Sequence, residues 1–166
     1  MDGHDKIGFM KSLVLNMQFE RIDPAKILLV EDDPNDVELI KLALENHKVV
    51  NQIDVVTDGE QALNYLHELS SSGLPARDLP RLTLLDLKLP KIDGITVLER
   101  IRNEPRTRDL IVVVMTSSSE NQDLKACYQL GVNSYVVKPL GFNQFMDVSR
   151  QVGCYWMMLN QVAQTM

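Results

Sequence analysis

The sequence has few of the features that mark several large classes of protein. It has only two cysteines, Cys127 and Cys154, and they lack the close spacing of a zinc site or a disulfide framework. We expect both to be reduced and to serve packing. No apolar run approaches the ~20 residues that span a bilayer, and the N-terminus lacks the apolar segment of an export signal. We therefore expect a cytoplasmic protein without a membrane segment.

A surplus of positive charge is also missing. The chain has 17 Lys and Arg against 23 Asp and Glu, and its formal net charge is −6. Proteins that bind nucleic acid neutralise phosphates with a basic face. Because the cations here are dispersed, nucleic acid is not expected as a direct partner. Neither a GxGxxG nor a Walker pattern occurs, which disfavours a nucleotide-binding domain.

The chain does contain a regular alternation of short apolar runs and longer segments with helical periodicity. Runs rich in Val, Ile and Leu predict strands buried on both faces at residues 27–30, 53–56, 82–85, 111–115 and 135–137. Apolar residues at helical spacing predict helices at residues 34–47, 59–69, 94–102, 120–130 and 143–162. Such a βα repeat favours a doubly wound parallel sheet in a three-layer α/β/α sandwich.

The domain organisation is predicted to be simple. Residues 25–166 are expected to form one domain, and residues 1–24 an N-terminal extension. Residues 70–81 are rich in Ser, Gly and Pro and predict a surface loop. Asp33 is a candidate helix N-cap, with Pro34 at the first helical position.

The last helix is predicted to be longer than one sheet face requires. It carries apolar side chains beyond those needed for the core, among them Tyr155, Trp156, Met157 and Met158. An exposed apolar patch rarely stays free. We expect a homodimer through this helix and its neighbours, with packing inside one chain as the alternative.

Polar residues follow four of the predicted strands, at the edge of the sheet where functional groups collect. Glu31 and Asp32 follow the first strand, and Asp86 follows the third. Because like charges repel, a hard divalent cation is the simplest way to hold these carboxylates together. Thr116 and Lys138 end the fourth and fifth strands and offer a hydroxyl and a cation to phosphoryl oxygens. These are the parts that an aspartyl phosphate requires.

The sequence resembles the response-regulator receiver family over residues 26–148. Four motifs carry the resemblance: LVEDD at 29–33, LLDLKLPKIDG at 84–94, TSS at 116–118 and YVVKP at 135–139. The resemblance implies a flavodoxin-like fold with the strand order 2-1-3-4-5. It is a specific match, since the intervals between the motifs are also those of the family.

The resemblance implies a role for each motif residue. Asp86 accepts the phosphoryl group, and Thr116 and Lys138 contact its oxygens. Mg²⁺ is held by the carboxylates of Glu31, Asp32 and Asp86, together with a backbone carbonyl.

Further roles are implied for residues around this site. The backbone carbonyl that completes the Mg²⁺ site belongs to Lys88. Tyr135 is implied to be an aromatic switch, although a packed strand aromatic is the alternative. The Lys138–Pro139 bond is implied to be cis. We also predict that the side chains of Lys88 and Ser118 flank the route of water and tune the lifetime of the phosphoryl group.

The implied protein is a two-component response regulator, not an enzyme that acts on a small substrate. It receives the phosphoryl group from a sensor histidine kinase or a histidine phosphotransfer protein, and signals by protein contact or phosphorelay. Little sequence follows the last helix, so a stand-alone regulator is expected. The acidic pair, the long loop before the third strand and the aromatic-rich last helix are similar to regulators paired with phytochrome-type kinases.

Two alternatives use parts of the same pattern. A phosphatase of the haloacid dehalogenase type also uses a strand-end Asp with Mg²⁺, but needs a second acid where this chain has Lys88. A receiver-like interaction module that is never phosphorylated is the other alternative, because folds host many functions.

Overall fold

The computed structural model describes residues 26–45, 52–73, 75 and 78–161. The predicted N-terminal extension, residues 1–24, lies outside these ranges. The strands in the described part are β1 Lys26–Val30, β2 Gln52–Val56, β3 Leu82–Leu85, β4 Val112–Thr116 and β5 Ser134–Val137. The α-helices that alternate with them are α1 Pro34–Glu45, α2 Gly59–Ser71, α3 Gly94–Asn103, α4 Asn121–Gln129 and α5 Phe142–Cys154.

The strands form one parallel sheet with the order β2-β1-β3-β4-β5. In this sheet β1 lies between β2 and β3, and Val30 is aligned with Val56 on one side and with Leu85 on the other. The carboxyl ends of β1 and β3 are therefore neighbours, and helices leave them toward opposite faces. An open α/β sheet forms its ligand crevice at such a point. The predicted fold and strand order are confirmed.

The side chains of the strands divide between two apolar layers, one on each face of the sheet. In β1, Leu28 and Val30 pack with α2, α3 and α4, whereas Ile27 and Leu29 pack with α1 and α5. All four side chains are at most 1% exposed. Burial on both faces explains why the central strands β1, β3 and β4 are largely apolar, whereas the edge strands β2 and β5 are only partly buried.

Side-chain caps set the start of three helices close to the strand ends. Pro34 is the first residue of α1, and the N–H of Asn35 donates to Asp33 Oδ1 at 2.8 Å, as predicted. Asp58 and Asp93 cap α2 and α3 by accepting from a backbone N–H in the first turn. Each such cap contributes about 1 kcal/mol. The caps therefore help to fix where the chain turns beside the sheet edge.

The chain after α5 differs from the prediction of one long helix. The α-helix ends at Cys154 and continues as a π-helical turn, Tyr155–Leu159. The N–H of Asn160 donates to Tyr155 O at 2.7 Å and closes this turn. The predicted helix end at residue 162 lies outside the described residues.

Three of the four apolar residues predicted to be surplus in this turn are less exposed than expected. Met157 is 2% exposed, and Trp156 and Met158 pack on the same core cluster. Tyr155 is 50% exposed and meets Trp156 edge to face, with ring centroids 4.9 Å apart. Leu159 is 70% exposed. The expectation of surplus apolar residues therefore holds for Tyr155 and is wrong for Met157, whereas Trp156 and Met158 are partly buried, because a π-helical turn directs side chains differently from the α-helical period used to predict it.

Cys127 is buried and Cys154 is partly buried, and both are free thiols, as predicted. Within the part of the chain that the structure describes, no helix combines the length and the apolar character needed to cross a bilayer.

Candidate functional site

Three carboxylates meet where β1 and β3 end. Glu31 and Asp32 follow β1, and Asp86 follows β3. Each can offer one oxygen so that the three oxygens lie within 4.8 Å of one another. Glu31 and Asp86 are only 2% and 7% exposed, whereas Asp32 is exposed. The structure thus brings the three predicted carboxylates together, with one side of the cluster open to water.

The backbone fixes the orientation of Asp86. Its Oδ1 accepts hydrogen bonds from the N–H groups of the next two residues, at 2.6 and 3.3 Å. Its own N–H donates to Val30 O at 3.0 Å, which ties it to the end of β1. Gly94, the first residue of α3, lies against it, since a Cβ there would be 2.2 Å from Asp86 O. With Oδ1 held in this way, Oδ2 faces the centre of the site.

The ammonium group of Lys138 lies at that centre. Its Nζ is 2.6 Å from Glu31 Oε2, 2.8 Å from Asp36 Oδ2 and 3.0 Å from Asp86 Oδ2. The side chain is only 9% exposed. The N–H of Lys138 also donates to Thr116 O at 2.7 Å, which holds the residue beside β4. Lys138 and Asp86 were predicted to meet, whereas Asp36 was not predicted to join them.

Thr116 ends β4, the strand next to β3, and is fully buried. Its Oγ1 accepts a hydrogen bond from the N–H of Ser118 at 3.2 Å. A hydroxyl that accepts one bond keeps its own proton for another acceptor. Its predicted contact with a phosphoryl oxygen stays a prediction.

Ser118 and Tyr135 meet in the loop between β4 and α4. The hydroxyl of Tyr135 donates to Ser118 O at 3.0 Å. The hydroxyl of Ser118 donates to Asp123 Oδ2 at 2.5 Å and accepts from the N–H of Glu120 at 3.3 Å, so it points toward the start of α4.

The side chain of Lys88 is exposed beside Asp86. The effects of Lys88 and Ser118 on phosphoryl lifetime stay predictions.

The loop between β3 and α3 is held by an ion-pair cluster that the sequence did not indicate. Lys91 Nζ lies 2.9 Å from both Asp58 Oδ2 and Glu60 Oε2 at the start of α2. The backbone of Lys91 has a φ of 64°, in the left-handed region. Gly59 lies directly against the loop, since a Cβ there would be 2.0 Å from Ile92 O. These contacts fix the segment that follows Asp86.

Comparison with known protein families agrees with this geometry. The profile of the response regulator receiver domain matches residues 27–150. The chain belongs to the response regulator receiver family.

Relatives of this receiver include proteins of similar length. The probable methanogenesis regulatory protein FilR2 of Methanothrix harundinacea is 41% identical over 142 residues, 86% of this chain and 90% of that protein. The response regulator Rcp1 of Synechocystis is 33% identical over 141 residues, 85% of this chain and 95% of that protein.

Solved structures match the receiver fold over most of the chain. The Mn²⁺-bound form of Rcp1 has a TM-score of 0.77 and 31% identity, and the match covers 85% of this chain and 100% of that one. The phosphorylated cyanobacterial phytochrome response regulator RcpA has a TM-score of 0.76 and 34% identity, and the match covers 84% of this chain and 98% of that one.

Burial and charge act in opposite directions on the ionisable groups of the receiver site. Burial raises the pKa of Glu31 to about 7, although the hydrogen bond and the charge of Lys138 oppose the rise. Burial lowers the pKa of Lys138, but hydrogen bonds to Asp36 and Glu31 outweigh it, so this pKa lies above its ordinary value. Lys138 therefore stays charged and offsets the clustered negative charge.

The donor set of the receiver site fits a hard divalent cation. Glu31, Asp32 and Asp86 offer only carboxylate oxygens, and the exposed side at Asp32 leaves room for the waters that such a cation keeps. Carboxylates this close require a positive partner, and the ammonium of Lys138 already lies against two of them. These three residues are the ones that would hold the metal. The Lys88 carbonyl as a further ligand stays a prediction.

The peptide bond between Lys138 and Pro139 is trans, because the described backbone of the receiver contains no cis bond. The implied cis bond is therefore wrong for this structure. An X-Pro bond favours trans by only about 0.5–1 kcal/mol, so sequence alone does not decide the isomer.

Proposed function

We propose that this receiver is a phosphorylation switch, which takes a phosphoryl group from a phosphohistidine onto Asp86 in a Mg²⁺-dependent reaction. The observation that supports this most is the distance of 3.0 Å between Asp86 Oδ2 and Lys138 Nζ inside the carboxylate cluster. A nucleophile, a cation for phosphoryl oxygens and a set of metal ligands are thus within one site. The reaction is a single group transfer, followed by a state that other proteins recognise.

The chemistry proposed for this site is displacement at phosphorus. Oδ2 of Asp86 forms the new O–P bond as the P–N bond of the phosphohistidine breaks, and the imidazole nitrogen keeps the electron pair and takes up a proton. The backbone N–H groups on Oδ1 hold the carboxylate, so its other oxygen faces the centre of the site. Lys138 and the hydroxyl of Thr116 would donate to phosphoryl oxygens. A bound Mg²⁺ would neutralise charge on the phosphoryl oxygens and the carboxylates.

The proposed donor is a sensor histidine kinase or a histidine phosphotransfer protein, and the proposed upstream kinase is of the phytochrome type. Support comes from RcpA, which is a phytochrome response regulator by name and is 34% identical across 84% of this chain. We also propose that the switch acts in the cytoplasm, where such a kinase would have access to ATP.

The proposed output is a change at the face formed by α4, β5 and α5. Phosphorylation adds about −1.5 to −2 charge and three acceptor oxygens to Asp86. If Thr116 moves toward these oxygens, Ser118 is expected to move with it, because the N–H of Ser118 is hydrogen-bonded to Thr116 Oγ1. The hydroxyl of Tyr135 donates a hydrogen bond to the carbonyl of Ser118, so Tyr135 must either follow Ser118 or lose this hydrogen bond. The altered face would be recognised by an output protein or pass the signal along a phosphorelay.

We also propose a homodimer through α5 and the turn that follows it. Support comes from apolar side chains that this region leaves exposed: Phe142 at 59%, Tyr155 at 50% and Leu159 at 70%. In sedimentation experiments across the micromolar range, we expect the wild type to associate and a Tyr155→Ser/Leu159→Ser variant to remain monomeric. A wild-type mass that equals the monomer at every concentration would rule out this assembly.

Phosphorylation is tested by incubating the chain with Mg²⁺ and acetyl phosphate, or with a phosphorylated histidine phosphotransfer protein, and measuring the intact mass. We expect the mass of one phosphoryl group on the wild type, and none after chelation of the metal or in Asp86→Asn. Asp109→Asn is the matched control, because Asp109 is 81% exposed and pairs only with its neighbour Arg108 among the ion pairs of the described residues. A wild type that both donors leave unmodified would favour an interaction module that is never phosphorylated.

A further inference from the structure

Asp36 is a fourth carboxylate of the site, and the roles assigned so far do not use it. It lies in the first turn of α1, and its Oδ2 is 2.8 Å from Lys138 Nζ. It is not one of the three residues whose oxygens cluster closely enough to hold a metal. Its side chain is only 25% exposed. A carboxylate this well placed on the lysine, but outside the metal ligands, calls for its own explanation.

Lys138 has to share its other two partners. An ammonium group has three N–H donors, and here they point to Glu31, Asp36 and Asp86. Glu31 and Asp86 are also metal ligands in the proposed function. A divalent cation and the ammonium therefore compete for the same two carboxylates. Of these three carboxylates, only that of Asp36 is available to the lysine both when a divalent cation is bound and when it is not.

We propose that Asp36 is a positioning residue that holds the ammonium of Lys138 to one side of the metal ligands. With Asp36 in place, Mg²⁺ can bind Glu31 and Asp86 while the lysine keeps a partner close to where the phosphoryl oxygens arrive. This inference rests on the proposed function and adds to it a residue that reconciles the lysine with the metal.

The location of Asp36 suits this role. It lies on a helix whose first residues are fixed by Pro34 and by the hydrogen bond from the N–H of Asn35 to Asp33, so the backbone that carries its side chain is held in place. A helix N-terminus also favours a negative charge. Asp36 therefore offers the ammonium of Lys138 a carboxylate from a fixed helix start.

A simpler explanation is that Asp36 only adds negative charge near the metal. In that case, removing it weakens metal binding equally whether or not Lys138 is present. If Asp36 acts through the lysine, its removal matters much more when the lysine is present, because the ammonium then falls back on Glu31 and Asp86. A double-mutant cycle separates the two explanations.

The experiment measures the Mg²⁺ dissociation constant by calorimetry for the wild type, Asp36→Asn, Lys138→Met and the double variant. We expect Asp36→Asn to weaken binding about tenfold with Lys138 present and less than about threefold with Met at that position. Asp36→Glu should recover part of the loss. Glu38→Gln, which removes the same charge from the same helix at a residue paired with Lys41, should have little effect. Equal losses in both backgrounds would overturn the role of Asp36.

A second measurement follows the ammonium itself by ¹H–¹⁵N NMR. In the wild type, the Lys138 signal should remain protected from exchange with water after Mg²⁺ is added, because Asp36 still binds it. In Asp36→Asn, the same addition should expose the ammonium and broaden its signal. Signals that respond to Mg²⁺ identically in the two proteins would contradict the inference. A matching denaturation midpoint without metal shows that the variant is folded.

The same measurements distinguish a failure of the proposed function from a failure of the role proposed for Asp36. A wild type that binds no Mg²⁺ would overturn the proposed function, and this inference with it. A wild type that binds Mg²⁺, with equal losses in the two lysine backgrounds, would overturn the role of Asp36 alone.

Discussion

At the residue scale, the charge balance of the site depends on Lys138. Its ammonium lies within 3.0 Å of carboxylate oxygens from Glu31, Asp36 and Asp86, and two of those carboxylates are nearly inaccessible to water. Charges removed from water are costly unless they are paired. The lysine is thus a structural counterion of these carboxylates as well as a proposed ligand of the phosphoryl group.

Replacing this counterion should destabilise the metal-free protein. We expect Lys138→Met to lower the free energy of unfolding by about 3 kcal/mol at pH 8, since it leaves buried carboxylates unpaired. Saturating Mg²⁺ should restore most of the loss, because the metal supplies the missing positive charge. Urea denaturation with and without Mg²⁺ measures both effects. Lys41→Met is the control, since Lys41 is 35% exposed and 3.9 Å from Glu38, and should change little.

Glu31 makes stability depend on pH in a defined direction. Burial raises its pKa from 4.5 to about 7, so between these values the folded protein binds more protons than the unfolded chain. The contribution of Glu31 to stability is therefore full below pH 4.5 and is lost as the pH rises through about 7. Without metal, we expect the wild type to lose stability relative to Glu31→Gln across this window. A difference in urea midpoint that stays constant with pH would contradict this.

The residues that sequence placed at the site are those that directly follow a strand. Glu31, Asp86 and Lys138 were predicted to meet because the ends of parallel strands share one edge of the sheet, and the structure brings them together. Asp36 was missed. An acid in the first turn of a helix is already explained by the helix dipole, and its partner Lys138 lies 102 residues away in the chain.

At the element scale, the close approach of α3 to the end of β3 is what fixes Asp86. Gly94 begins α3, and its N–H donates to Leu87 O at 2.8 Å. On the other side of the same loop, the ammonium group of Lys91 forms ion pairs with Asp58 and Glu60 at the start of α2. Asp86 is thus held by two helix starts as well as by its own strand.

A methyl group at Gly94 should disturb this arrangement. The added Cβ would lie 2.2 Å from Asp86 O, so strand end and helix must move apart. We expect Gly94→Ala to cost about 2 kcal/mol of stability, the range of overpacked cores, and to slow phosphorylation. Gly141→Ala is the control, because Gly141 has a φ of −83° and its Cβ would meet only the flexible side chain of Gln144. Equal denaturation midpoints for the two variants would refute the steric explanation.

Strands could be predicted where helices cover both faces of the sheet. The end of the last helix was harder to predict, because its backbone changes from α-helical to π-helical periodicity. The five strands were predicted because continuous apolar runs, such as residues 111–115, are typical of strands covered on both faces. The end of α5 was not, because the turn Tyr155–Leu159 leaves the α-helical period on which the prediction relied. The contact of Lys91 with Asp58 joins two loops that no periodicity relates.

At the scale of the whole molecule, the strand order creates the site. Because β1 lies between β2 and β3, the acids that follow β1 meet Asp86, and β4 and β5 bring Thr116 and Lys138 to the same edge. Strand order follows from the resemblance to receivers and not from periodicity alone, which is compatible with other doubly wound orders. The surface proposed for a second copy or an output protein rests on exposed apolar side chains such as Tyr155 and Leu159, and the helical pattern predicted more of these than the structure exposes.

The central claim is that Asp86 forms an acyl phosphate. The most direct measurement is to phosphorylate the protein with acetyl phosphate and Mg²⁺, reduce it with borohydride, and locate the modified residue by peptide mass. An acyl phosphate is reduced to an alcohol, so the account predicts that residue 86 is recovered as homoserine, and only in the sample that received both the donor and the metal. Recovery of an unchanged Asp86, or of homoserine at another acid such as Asp32, would contradict it.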